Sequence, residues 1–88
     1  MKTIKELRQE GTKVKIEHYR YNQRGKLVPY SRKTKGLISQ KGGITIATVT
    51  NGDGEFAKGV AVCSKEDQFS YGDGANIALG RAMRDLLS

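Results

Sequence analysis

The clearest pattern of apolar and polar positions lies between Gly43 and Ser64, where two alternating runs flank a turn. A period of two is typical of β-strands, because successive side chains point to opposite faces of a sheet. The turn at 51–54 has the sequence Asn-Gly-Asp-Gly, which tolerates the positive φ of a tight connection. We therefore predict a β-hairpin, and a second layer must cover it because an isolated hairpin is marginal in water.

The C-terminal segment has the helical spacing expected of that second layer. Apolar residues recur there every three or four positions and form one stripe: Ala75, Ala78, Leu79, Ala82, Met83 and Leu86. The alanines would let the helix axis come close to the sheet. Asp73 is the predicted N-cap, because its carboxylate suits the positive end of the helix. Residues 64–69 are predicted to be a polar connection that places Phe69 under the helix.

The sequence pattern of the N-terminal third predicts a short helix followed by strands. Thr3 and Glu6 fit a capping box, and Gly11 can end the helix. Residues 12–21 alternate as a strand, and residues 26–30 are an edge strand or a loop because Pro29 cannot donate to a ladder. We predict one domain over 1–88 of the α+β class, α-β-β-β-α, with a three to four stranded antiparallel sheet and both helices on one face.

Composition indicates a small soluble domain. The chain has 88 residues and a mean hydropathy of −0.58, and no apolar run approaches the ~20 residues of a membrane span. Its N-terminus lacks the apolar core of a secretion signal, so we expect a cytoplasmic protein that does not contact a membrane. The single cysteine, Cys63, excludes an internal disulfide and is expected to be a small core residue.

Positive charge is concentrated in the middle of the chain. The net charge is +7; residues 13–41 contain nine basic residues and one acid, whereas the rest contains seven bases and eight acids. Such a segment attracts phosphates or an acidic surface, although a solvated loop that aids solubility is the alternative interpretation. The predicted nucleic-acid-binding residues are Lys13, Lys15, Arg20, Arg24, Lys26, Arg32, Lys33, Lys35 and Lys41.

Aromatic residues lie between these cations. Tyr19, Tyr21 and Tyr30 alternate with the arginines of the segment, and rings beside phosphate-binding cations can stack bases. The alternative is that Tyr19 and Tyr21 pair across the sheet or cover a homodimer interface.

The chain offers little for catalysis or metal binding. His18 lies on the side of Val14 and Ile16, which favours a core histidine bonded to the backbone over a catalytic pair with Cys63. One cysteine and one histidine are too few for a typical zinc site, and residues 51–55 fit a turn better than a calcium loop. We predict no catalytic residues, no metal site and no cofactor.

The order helix, strands, helix, with a long basic loop between the first two principal strands, resembles the double-stranded-RNA-binding fold. The sequence segments 42–47, 59–69 and 77–82, together with the predicted first strand at 14–20, resemble the corresponding segments of small, uncharacterised accessory proteins of bacteriophages and prophages. The fold resemblance implies duplex RNA as a ligand and a lysine cluster at the start of the last helix. The corresponding turn at 71–76 has one acid and no lysine, so the usual docking pose is not predicted.

The leading hypothesis is a small, basic, non-enzymatic phage-type protein. It would bind nucleic acid, DNA or RNA, or a host nucleoprotein, through residues 13–41. The alternative is a protein-binding inhibitor of a host enzyme or defence system, an antidefence or host-takeover factor that recognises an acidic protein surface. A partner that stays bound after nuclease treatment would favour the alternative.

Overall fold

The chain forms two helices and four strands in a computed structural model that describes residues 4–31 and 38–87. The elements in chain order are α1 (Ile4–Gln9), β1 (Lys13–Tyr21), β2 (Leu27–Pro29), β3 (Lys41–Thr50), β4 (Phe56–Gln68) and α2 (Tyr71–Leu87). This order confirms the predicted α+β class, with β2 as the fourth strand. Neither helix is long and apolar enough, over the residues described, to cross a membrane.

The four strands form one antiparallel sheet in the order β2-β1-β3-β4. The predicted hairpin is β3 and β4, and Ala47 of β3 lies between Ile16 of β1 and Gly59 of β4. Asn51 closes the hairpin turn: its side-chain oxygen accepts hydrogen bonds from the backbone nitrogens of Asp53 and Glu55, both at 3.0 Å. β2 pairs with β1 at the sheet edge, a position that tolerates Pro29, and the backbone nitrogen of the next residue, Tyr30, donates to the His18 carbonyl oxygen at 2.9 Å.

The core lies between one face of the sheet and the helices. Its buried residues are Leu7, Val14, Ala47, Val49, Ala61, Ala78, Leu79 and Ala82. A Cβ atom on Gly59 would collide with the carbonyl oxygen of Ala78 and lie 2.5 Å from the backbone nitrogen of Ala82. The alanine stripe of α2 therefore packs directly on the backbone of β4, as its small residues predicted.

Two predicted boundaries were wrong. β4 continues through the predicted connection to Gln68, because Lys41 pairs with Gln68 beyond an irregularity between Lys41 and Gly43. α2 begins at Tyr71 and is capped by Ser70, whose hydroxyl accepts from the backbone nitrogen of Asp73 at 3.3 Å. Asp73 is therefore in the first turn of the helix and is not its N-cap.

The N-terminal helix is short, and its Leu7 side chain belongs to the core. Leu7 is buried, and Gly11 follows the helix with a φ of 86°, as its position predicted. The predicted capping residue Thr3 lies outside the described residues.

Candidate binding face

The second face of the sheet has no helix over it in the part of the chain that the structure describes. Strand register assigns to this face the side chains that alternate with the core positions. We call it the open face, and it comprises Lys13, Lys15, Glu17, Tyr19, Tyr21, Leu27, Pro29, Ile44, Ile46, Thr48, Thr50, Phe56, Lys58, Val60 and Val62.

The centre of the open face is apolar. Tyr19, Ile44 and Val62 stand opposite one another across β1, β3 and β4, and in the neighbouring row Ile46 and Val60 follow Glu17 of β1. Val62 is 70% exposed and Val60 is 41% exposed, so these side chains are not packed under another element. An exposed apolar patch with polar edges is typical of a binding surface.

Lysines flank this apolar centre at one end. Lys15 and Lys58 both stand opposite Thr48, one on each side, and Lys13 shares the next row with Thr50 and the exposed ring of Phe56. Phe56 is 66% exposed. This end therefore combines three cations with an accessible aromatic ring.

A second group of lysines, Lys41 and Lys65, lies near the opposite end of β1. The Lys65 Nζ is 4.7 Å from the centre of the Tyr21 ring, a cation–π contact. Lys41 lines the same shallow cleft as Tyr21 and Lys65. Arg24 and Lys26 are exposed in the adjacent turn between β1 and β2, and the Asn22 side-chain oxygen accepts from both of their backbone nitrogens.

Glu17 is the one acid among the register positions of the open face. Its Oε2 accepts a hydrogen bond from the Tyr19 hydroxyl at 3.3 Å, and its Oε1 lies 4.0 Å from the Lys15 Nζ. The Glu17 charge raises the pKa of the Tyr19 hydroxyl. Because Lys15 balances Glu17, the remaining lysines make this side of the molecule positive.

The predicted basic residues do not all belong to this surface. Lys13 and Lys15 lie on the open face, while Arg24, Lys26 and Lys41 are exposed near its far end. Arg32, Lys33 and Lys35 lie outside the described residues. The prediction missed Lys58 and Lys65 because they are distant in sequence from the basic segment at 13–41. Strand alternation nevertheless places Lys58 on the same side as Phe56 and Val60.

Arg20 was predicted to bind nucleic acid, but it lies on the core side of the sheet and is only 4% exposed. Its guanidinium donates to the Tyr71 hydroxyl and, at 2.8 Å, to the carbonyl oxygen of Ser39. The same group lies 4.3 Å from the centre of the Phe69 ring. These contacts leave Arg20 enclosed, so it is not a phosphate contact of this surface.

His18 belongs to the same buried cluster. Its Nδ1 is 2.9 Å from the Thr45 hydroxyl, and its ring packs edge-on against Tyr71 and Phe69. Burial and then the Arg20 charge lower the pKa of His18. The histidine is a core-side residue as predicted, but it bonds to a side-chain hydroxyl, where the backbone was expected.

Cys63 is separated from His18 by a strand. It pairs with Gly43 of β3, whereas His18 pairs with Thr45 from the other side of that strand. The thiol lies 3.5 Å from the Asp67 carbonyl oxygen. The residues described contain no group of three or more side chains suited to holding a metal.

Fold and site together define an α+β domain with a four-stranded antiparallel sheet, helices on one face and a cationic, apolar open face on the other. No protein-family model, curated protein or solved structure matches the chain.

Proposed function

We propose that the protein binds nucleic acid through the open face. The supporting observation is that Lys13, Lys15 and Lys58 meet on a sheet face that neither described helix covers, with a single acid among its register positions. Lysines that neutralise phosphates release condensed counterions, which supplies affinity without requiring a particular base sequence.

The second group of cations extends this surface. Lys41 and Lys65 lie at the Tyr21 end, and Arg24 and Lys26 are exposed in the turn beyond it. From Lys13 to Tyr21 the first strand covers eight residue steps, which corresponds to about 27 Å. A phosphate backbone that runs along this strand would meet lysines at both ends.

Salt dependence tests the proposal. With about four phosphate contacts, affinity for a labelled oligonucleotide should fall roughly 50- to 150-fold between 50 and 200 mM salt. The variant Lys15→Glu/Lys58→Glu should bind more weakly and show a shallower dependence on salt. A filter-binding or anisotropy titration at several salt concentrations measures both quantities.

The matched control is Lys5→Glu/Arg84→Glu, which makes the same change in net charge at exposed positions on the helices. It should bind nearly as the unmodified protein does. Equal losses in the two variants would mean that only net charge matters, and no salt-sensitive binding at all would contradict the proposal.

A protein-binding inhibitor is the second candidate, and the exposed aliphatic side chains of Val60 and Val62 favour it. Flat apolar patches with charged edges are also typical of protein interfaces. The target would carry an acidic surface, and it would belong to a host enzyme or defence system. Pull-down from host lysate with and without nuclease separates the candidates, because a protein partner would survive the nuclease.

A further inference from the structure

We infer that the open face is a site for single-stranded nucleic acid, with unstacked bases on its apolar and aromatic side chains. This inference rests on the proposed function and adds the kind of strand that is bound. It follows from the arrangement of rings, aliphatic side chains and cations on one flat surface.

An apolar centre that can stack on bases suits a single strand better than a duplex. In double-stranded nucleic acid the flat faces of the bases are stacked on each other, and a protein meets phosphates, sugars and base edges. A lysine surface alone would serve those contacts. Val62, Ile44 and Tyr19 instead form an apolar row across three strands, in which the Tyr19 ring would stack on an unstacked base.

Two of the three aromatic side chains on the open face, Phe56 and Tyr21, have a cation nearby. Phe56 shares its row with Lys13 and is two residues from Lys58, while Lys65 lies against Tyr21 at the opposite end. The rows of Phe56 and Tyr19 are six residue steps apart along β1, about 20 Å. Rings for bases and lysines for phosphates are the two components of single-strand sites.

Charge argues against a second copy of the chain as the occupant. Two open faces brought together would place their lysines near each other, with Glu17 as the one acid on each face. Like charges at an interface oppose association. A polyanion with flat apolar groups complements both the charge and the shape of this surface.

The test compares strands of one sequence. A labelled oligonucleotide of about ten nucleotides is titrated by fluorescence anisotropy at low salt, alone and annealed to its complement. We expect the single strand to bind at least roughly tenfold more tightly. Tighter or equal binding of the duplex would overturn the inference while leaving the proposed function standing, whereas salt-sensitive binding of neither form would overturn both.

Ring variants show whether stacking carries the preference. Phe56→Ala and Tyr19→Ser should each raise the single-strand Kd roughly 5- to 100-fold. Tyr19→Phe should bind as the unmodified protein does, because its ring is kept and only the hydroxyl bonded to Glu17 is lost. The control Ile77→Ala removes an exposed apolar side chain from α2 and should leave the Kd unchanged.

Thermal unfolding of each variant identifies any that fails to fold, and Phe56→Ala is the safer variant because its ring is 66% exposed. Unchanged single-strand affinity in folded Phe56→Ala and Tyr19→Ser would overturn the inference. A dimer in sedimentation that Phe56→Ala converts to monomer, without any change in Kd, would assign the face to a second copy and would also overturn it.

Discussion

At the scale of single residues, the buried guanidinium of Arg20 organises one end of the core. It joins Tyr71 of α2 to the Ser39 carbonyl beside β3 and packs on the Phe69 ring. Its Nε has no hydrogen-bond partner among the described residues. The planar group can make these contacts at once, whereas a lysine ammonium offers a single point charge.

We expect Arg20→Lys to lower the free energy of unfolding by about 1–3 kcal/mol, because the Tyr71 hydroxyl or the Ser39 carbonyl would lose its donor. The control Arg24→Lys changes an exposed turn residue and should stay within about 0.5 kcal/mol. Urea denaturation measures both. If Arg20→Lys left the stability unchanged and weakened nucleic-acid binding, Arg20 would have to be counted among the proposed phosphate contacts.

His18 gives the fold a pH dependence of known sign. Its pKa is lowered in the folded protein by burial and by Arg20, so the unfolded chain takes up a proton near pH 6.5 while the folded chain does not. The contribution to stability is complete above the unfolded pKa. It falls as the pH drops from about 6.5 to the lowered folded value.

The free energy of unfolding should therefore decrease as the pH is lowered from about 7.5 to about 5. His18→Gln should remove most of this decrease, since the sequence contains no other histidine. Urea titrations at the two pH values measure the difference. The same decrease in the variant would assign the effect to other groups.

At the scale of elements, the close contact of α2 with β4 decides how the hairpin is covered. The helix approaches so closely at Gly59 that an added Cβ would meet the backbone of Ala78 and Ala82. Backbone atoms within a helix cannot move aside as a flexible side chain can. The glycine and the alanines therefore set the helix-to-sheet distance together.

Gly59→Ala should destabilise the protein by about 1–3 kcal/mol or more, because overpacking forces the helix away from the sheet. The control Gly52→Ala introduces a methyl group with no atom within 4 Å, in the hairpin turn. It should change stability little. Comparable denaturation midpoints for the two variants would contradict the packing described for α2.

Strand and helix boundaries show what local patterns can predict. Alternation identified β3 and most of β4, because the period of two is a local property of an extended chain. It missed the end of β4, where Lys65, Glu66 and Asp67 are polar and exposed and only Gln68 pairs again with β3, so no alternating apolar pattern marks this part of the strand. The Ser70 cap was missed because Asp73, between glycines, offered an equally plausible start.

At the scale of the whole molecule, the two faces of the sheet differ in how far they are buried. One face is buried under both helices, while the open face retains exposed apolar side chains such as Phe56 and Val62. Side chains that are mostly exposed contribute little to stability. Under the proposed function, these side chains would serve binding and not the stability of the fold.

The variant Phe56→Ser/Val62→Thr should therefore keep its free energy of unfolding within about 0.5–1 kcal/mol of the unmodified value. Its affinity for nucleic acid should nevertheless fall, which separates the role of the open face from that of the core. Chemical denaturation and anisotropy on the same samples give the two numbers. A loss of more than about 2 kcal/mol would instead assign these side chains to the packed interior.

The sequence by itself determined the presence of two helices and three principal strands, the α+β class and the positive charge of its middle segment, because these depend on local periodicity and on composition. Tertiary structure alone decided which cations share a surface. The fold encloses Arg20 beneath α2. It also places Lys58 in the same cross-strand row as Lys15, because both residues pair with Thr48 of β3. The reason is physical: alternation fixes the face of a side chain within its own strand, but strand order and helix placement determine which face remains open.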